Sequence, residues 1–75
     1  MVCIDIKESG KKIHTMRVNK GFTATELAAA LGGITFQSIY NWETGKCLPS
    51  IDNLVWLAKV FDTTVDELLV VKTIG

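Results

Sequence analysis

The 75-residue sequence predicts an all-α domain of five short helices. Three observations carry that expectation. Five helix-start signals follow one another along the chain, apolar residues recur at helical spacing behind each, and glycine or proline breakers separate them. The two ends differ, because Val2-Cys3-Ile4 and the run from Leu69 to Ile74 are rich in β-branched residues. They are expected to form short strands, paired with each other or across a dimer, since a lone two-stranded ribbon needs something to pack on.

Each element has its own warrant. Asp5 with Glu8 fits a capping box, in which the first side chain accepts a free amide and the acid three residues on reaches back. It opens a helix over roughly 6–19, where Ile6, Ile13 and Met16 share a face. Thr23 with Glu26 opens the second, over 24–31, lined by Leu27, Ala28 and Leu31. Thr35 caps the third, over 36–44, with Ile39 and Trp42 three apart. Ser50, preceded by Pro49, caps the fourth, over 51–61, with Leu54, Leu57, Ala58 and Phe61 on one side. Thr64 with Glu67 opens the fifth, over 65–70. Gly21, the pair Gly32-Gly33, and the stretch from Gly45 to Pro49 punctuate them. Trp42 and Trp56 both occupy apolar helical positions and are expected in or near the core.

Size and composition narrow the function. A chain of this length holds one core, so residues 1–75 are expected to form a single domain. No apolar run approaches the roughly 18 residues of a membrane span, and the first residues lack a basic segment followed by a long apolar stretch. A cytoplasmic protein without membrane contact is the expectation. Cys3, Cys47 and the single histidine, His14, are too few and too scattered for a metal site or a nucleophile–base pair, so no metal, cofactor or catalytic residue is expected. The cysteines read as reduced thiols and His14 as a solvated helix residue. Eight cations balance eight carboxylates, but unevenly. Over residues 7–20, Lys7, Lys11, Lys12, Arg17 and Lys20 face one acid, Glu8, while over residues 51–69 Asp52, Asp62, Asp66 and Glu67 face Lys59. A hydrophobic content of 48% also suggests apolar surface kept for a partner.

The stretch from Thr23 to Gly45 is the informative one. A short helix, a glycine turn and a second helix make a helix-turn-helix unit. Ala28 is the small residue where the helices cross, Gly32 or Gly33 tolerates the positive φ of the turn, and Ile39 and Trp42 anchor the second helix. Its opposite face carries Thr35, Phe36, Gln37, Tyr40, Asn41 and Thr44. Gln and Asn can bond adenine bidentately in the major groove, and Phe or Thr can pack on a thymine methyl. Phe36 and Tyr40 fit either a thymine contact or a protein interface.

From Gly10-Lys11-Lys12-Ile13 through Lys20-Gly21-Phe22-Thr23, Glu26-Leu27-Ala28 and Thr35 to Lys46, then Leu48-Pro49, Leu57-Ala58 and Val65 to Leu69, the sequence resembles the Cro/cI-type (XRE-like, lambda-repressor-like) helix-turn-helix regulators. The similarity runs over about residues 5–70. The resemblance implies a five-helix bundle without enzymatic activity, whose third helix reads double-stranded DNA as a small transcriptional regulator. A repressor is the expected form, acting as a homodimer on an inverted-repeat operator. It implies base contacts at Thr35, Phe36, Gln37, Tyr40 and Asn41. Phosphate contacts would come from Thr23, Thr44, Lys46 and the amides of Ser50 and Ile51. Arg17 and Glu43 match a buried ion pair between the first and third helices. Three features depart from the pattern. Gly32-Gly33 inserts a residue in the turn, Ala24 replaces a phosphate-binding glutamine, and the reading helix has no Lys or Arg. The neutral charge, a reading helix without basic residues and the high hydropathy leave a second function open, a protein-interaction module that keeps the fold without DNA binding.

Overall fold

In a computed structural model, which describes residues 1–74, the elements run β1 (Val2–Ile4), α1 (Ile6–Asn19), α2 (Ala24–Ala30), α3 (Phe36–Glu43), α4 (Ile51–Val60), α5 (Val65–Leu68) and β2 (Val71–Thr73). Each helix starts where an N-cap side chain takes an amide: Asp5 from Glu8, Thr23 from Glu26, Thr35 from Ser38, Ser50 from Asn53 and Thr64 from Glu67. Only Thr23 with Glu26 forms the reciprocal box that was expected three times. The Asp5 amide is taken by the Val70 carbonyl at 2.7 Å, and Glu8 turns to Lys11 at 3.1 Å. Glu67 leans toward Lys12, at 3.9 Å.

The core draws one fully buried apolar side chain from every helix: Ile13, Leu27, Ile39, Leu57 and Leu68. Ala24, Ala28, Leu31, Trp42, Leu54, Ala58 and Phe61 complete it. Trp56 does not join them and is 54% exposed, against the expectation for both tryptophans. The reason is angular: Trp56 stands two residues, roughly 200° of helix rotation, from Leu54, off the stripe that Leu54, Leu57, Ala58 and Phe61 define. Ile6, at the first position of α1, is also left partly exposed.

The ends pair within the chain. β1 and β2 run antiparallel, with Val2 opposite Thr73, Cys3 opposite Lys72 and Ile4 opposite Val71. This shortens the last helix, expected to reach residue 70, to Leu68, because Leu69 is already extended. Fully buried Ser9 secures the turn into the strand: its hydroxyl accepts from the Val70 amide at 2.8 Å and donates to the Val70 carbonyl at 3.4 Å. A small polar residue inside α1 thereby satisfies the backbone where helix gives way to strand. No helix among the described residues is long and apolar enough to cross a membrane.

Candidate nucleic-acid interface

The α2–α3 turn and the α1–α3 contact set the position of α3. Gly32 and Gly33 both adopt positive φ, +86° and +102°, so the doubled glycine forms a turn that side chains would strain at two consecutive positions. On the other side, Gly10 lets α1 approach α3 backbone to backbone. A Cβ there would lie 2.3 Å from the Trp42 carbonyl oxygen and 2.8 Å from that of Glu43.

Beside this crossing Arg17 of α1 meets Glu43 of α3. Its Nε donates to Oε2 at 2.6 Å and its Nη2 to Oε1 at 3.1 Å, a two-pronged contact, while Nη1 donates to the Phe22 carbonyl at 2.9 Å. The side chains are 10% and 6% exposed, so little water competes. His14, expected to be merely solvated, belongs to this cluster, its Nδ1 2.9 Å from Glu43 Oε1 and 3.2 Å from Arg17 Nη2. One nitrogen cannot donate to a carboxylate and accept from a guanidinium at once, and the shorter contact makes it the donor to Glu43. Burial alone would raise the Glu43 pKa, but the hydrogen bonds from Arg17 and His14 outweigh it and hold the carboxyl below its ordinary range. Its hydrogen bond to Glu43 raises the Arg17 guanidinium further, against the effect of burial.

A pH dependence follows, with a definite sign. Because the folded Glu43 pKa is depressed, the unfolded chain takes up that proton first as pH falls. The contribution of Glu43 is therefore full above the ordinary value of 4.5 and is lost as pH drops through the lower folded value. Urea unfolding from neutral to strongly acid pH should show this loss, and Glu43→Gln should flatten it. An equally steep decline in the variant would assign the acid sensitivity to other carboxylates.

The outer surface of α3 carries two rows of side chains four residues apart. Phe36 and Tyr40 pack edge to face, with ring centroids 5.9 Å apart and planes at 80°. Gln37 Nε2 donates to Asn41 Oδ1 at 3.1 Å. Thr35, Phe36, Gln37 and Tyr40 are exposed, and Asn41 is half-buried. The residues expected at phosphates lie at helix ends: Thr23 caps α2, Thr44 ends α3, Lys46 follows it, and Ser50 and Ile51 open α4, all exposed. The Thr23 amide is occupied by Glu26 Oε1 at 2.9 Å, and its hydroxyl oxygen accepts the Glu26 amide at 3.1 Å. Only its O–H remains to donate outward. Thr44 spends its hydroxyl proton on the Tyr40 carbonyl at 2.8 Å. The cap leaves the first amides of α4 without helical acceptors, pointing out of the helix start.

His14, Ser9 and Gly10 are the residues sequence reasoning missed. Ser9 and Gly10 stand four and three positions before Ile13, on its face, and two adjacent small residues there are a readable mark of a close helix crossing.

The fold and this arrangement define a helix-turn-helix domain, and comparison with known proteins agrees. The Helix-turn-helix family model matches residues 13–68, and the chain belongs to that family, among regulators of the Cro/cI type. It is 36% identical over 62 residues to the HTH-type transcriptional activator BcrR of Enterococcus faecalis, which covers 83% of this chain and 30% of that one. It is 35% identical over 57 residues to the putative HTH-type transcriptional regulatory protein PH1808 of Pyrococcus horikoshii, covering 76% of this chain and 18% of the relative. The chain thus spans under a third of the length of either. Among solved structures, the restriction-modification controller protein C.AhdI from Aeromonas hydrophila superposes with a TM-score of 0.77 at 26% identity, over 85% of this chain and 96% of that one.

Proposed function

We propose that residues 1–75 act as one sequence-specific double-stranded DNA-binding domain of a transcriptional regulator, working by binding alone. In this reading α3 enters the major groove and presents Thr35, Phe36, Gln37, Tyr40 and Asn41 to base edges. Thr23, Lys46 and the amides of Ser50 and Ile51 meet the flanking phosphates, and Thr44 joins them once its hydroxyl turns from the Tyr40 carbonyl. The observation that carries it is the outer surface of α3, where exposed Phe36, Gln37 and Tyr40 and half-buried Asn41 stand on a helix fixed from behind by the Arg17–Glu43 pair. Membership of the family and the similarity to regulators support it.

One short helix reads few base pairs, so the working form is proposed to be a homodimer on an inverted repeat, repressing by occupying its operator. The terminal strands are already paired with each other, which leaves α4 as the better contact. Ile51, Val55 and Trp56 are 78%, 44% and 54% exposed, with Asp52 and Lys59 also on the outside of that helix. A two-fold crossing of two such helices would cover the apolar residues and bring Asp52 of each copy toward Lys59 of the other.

Selection from random duplex DNA tests this directly. The expected outcome is an inverted repeat with half-site centres about 34 Å apart, one helical turn. Enrichment of no sequence would favour the protein-interaction module, to which the exposed Phe36 and Tyr40 also lend themselves. Enrichment of a single half-site would remove the dimer.

A further inference from the structure

We infer that the half-site read by α3 has an A·T core, in which thymine is recognised through its C5-methyl group by Phe36 and Tyr40, and adenine by Gln37 held in place by Asn41. The inference rests on the DNA-reading function proposed above and names the class of sequence that such a surface selects.

α3 lacks the side chains that commonly read G·C pairs. None of its eight residues, Phe36 to Glu43, is cationic, so the bidentate Arg or Lys contact to guanine O6 and N7 has no donor here. Its only carboxylate, Glu43, is buried on Arg17 and cannot accept from a cytosine amino group. Both common readers of G·C pairs are therefore missing from the helix.

What α3 offers instead matches the A·T pair. Phe36 and Tyr40 are 52% and 44% exposed and pack edge to face on one another, leaving apolar ring surface outward. In the major groove thymine alone of the four bases presents a methyl group, at C5. Beside them, roughly 100° around the helix, stands the amide row. The hydrogen bond from Gln37 Nε2 to Asn41 Oδ1 uses one of the two Gln37 amide protons. The other proton and the Gln37 carbonyl oxygen have no hydrogen-bond partner among the described residues, so the group keeps one donor and one acceptor. That is the complement of adenine, whose N6 amino group donates and whose N7 accepts. Besides its own place at the base edges, Asn41 thus positions Gln37, since the bond between them restrains the free rotation of a surface glutamine.

Uracil substitution provides the test, because it removes the thymine methyl and leaves every hydrogen-bonding group in place. Intact protein is titrated with the duplex obtained by selection, with versions carrying uracil at single thymines of the half-site, and with a scrambled duplex. At one or two thymines per half-site, uracil should weaken binding about fourfold, the equivalent of one buried methyl. In Phe36→Ala or Tyr40→Ala, exposed positions that the core does not use, the same uracil duplexes should bind as well as their thymine parents. If wild-type protein prefers the selected duplex to the scrambled one yet treats uracil and thymine alike, the methyl reading is overturned while DNA recognition stands. A selected core of G·C pairs overturns the inference in the same way. Equal binding to selected and scrambled duplexes removes the DNA-reading function itself.

Discussion

Glu43→Ala is expected to destabilise the fold by about 3–5 kcal/mol, the range for removing one partner of a buried ion pair. The carboxylate holds both Nε and Nη2 of Arg17 and also receives His14. Without it the guanidinium, nearly shielded from water, keeps only the Phe22 carbonyl among these acceptors. Arg17→Ala should be comparably harmful, because the buried Glu43 carboxylate would then keep only the hydrogen bond from His14 among these donors. The double change Arg17→Met with Glu43→Leu gives the discriminating comparison. If the single losses come from an orphaned charge, the apolar pair should cost less than either alanine substitution, and can be neutral. Urea unfolding of the three variants measures this. Unaltered melting in both single variants would show that the pair contributes nothing. Because the pair joins α1 to α3, the alanine variants should also lose DNA preference beyond what their stability explains.

Gly10→Ala is the second large effect. Alanine in a helix interior ordinarily stabilises by up to about 1 kcal/mol relative to glycine. Here the new methyl would sit 2.3 Å from the Trp42 carbonyl oxygen, a backbone atom that cannot swing aside. Moving α1 away from α3 costs on the order of 1–3 kcal/mol for overpacking, occasionally more, so the steric term wins and the sign reverses. The same displacement would stretch the Arg17–Glu43 contact, and the two losses should be less than additive when combined. Thermal unfolding of Gly10→Ala checks the sign. A variant more stable than the parent would contradict so close a crossing of α1 and α3.

The sequence discloses this fold unevenly, and the reason is the range of each signal. Caps and apolar spacing are local, so Thr23, Thr35 and Ser50 mark helix starts well and Ile13, Leu27, Ile39 and Leu57 fall in the core as their spacing implies. Trp56 fails because hydrophobicity alone does not specify which side of α4 a residue occupies; its angle to Leu54 does. The end of the last helix fails because it is decided by Ser9 and Asp5, some sixty residues earlier, which capture Val70. The candidate site divides in the same way. The two rows on α3 follow from four-residue spacing. The Arg17–Glu43 contact joins positions 26 apart, and no local pattern announces it; its expectation came from family resemblance. His14 entered that cluster unannounced because a lone histidine carries no spacing at all.

Binding of the selected and scrambled duplexes, measured across a series of salt concentrations, tests most directly whether α3 reads bases. Phosphate contacts require log affinity to fall linearly with log salt for both duplexes. Lys46→Ala should weaken both alike and reduce the slope by about 1 per half-site. Gln37→Ala should instead cost roughly 1–3 kcal/mol on the selected duplex alone, with the slope unchanged. Equal affinity of the wild-type protein for the two duplexes, or a preference that survives both Gln37→Ala and Asn41→Ala, would contradict base reading by this helix.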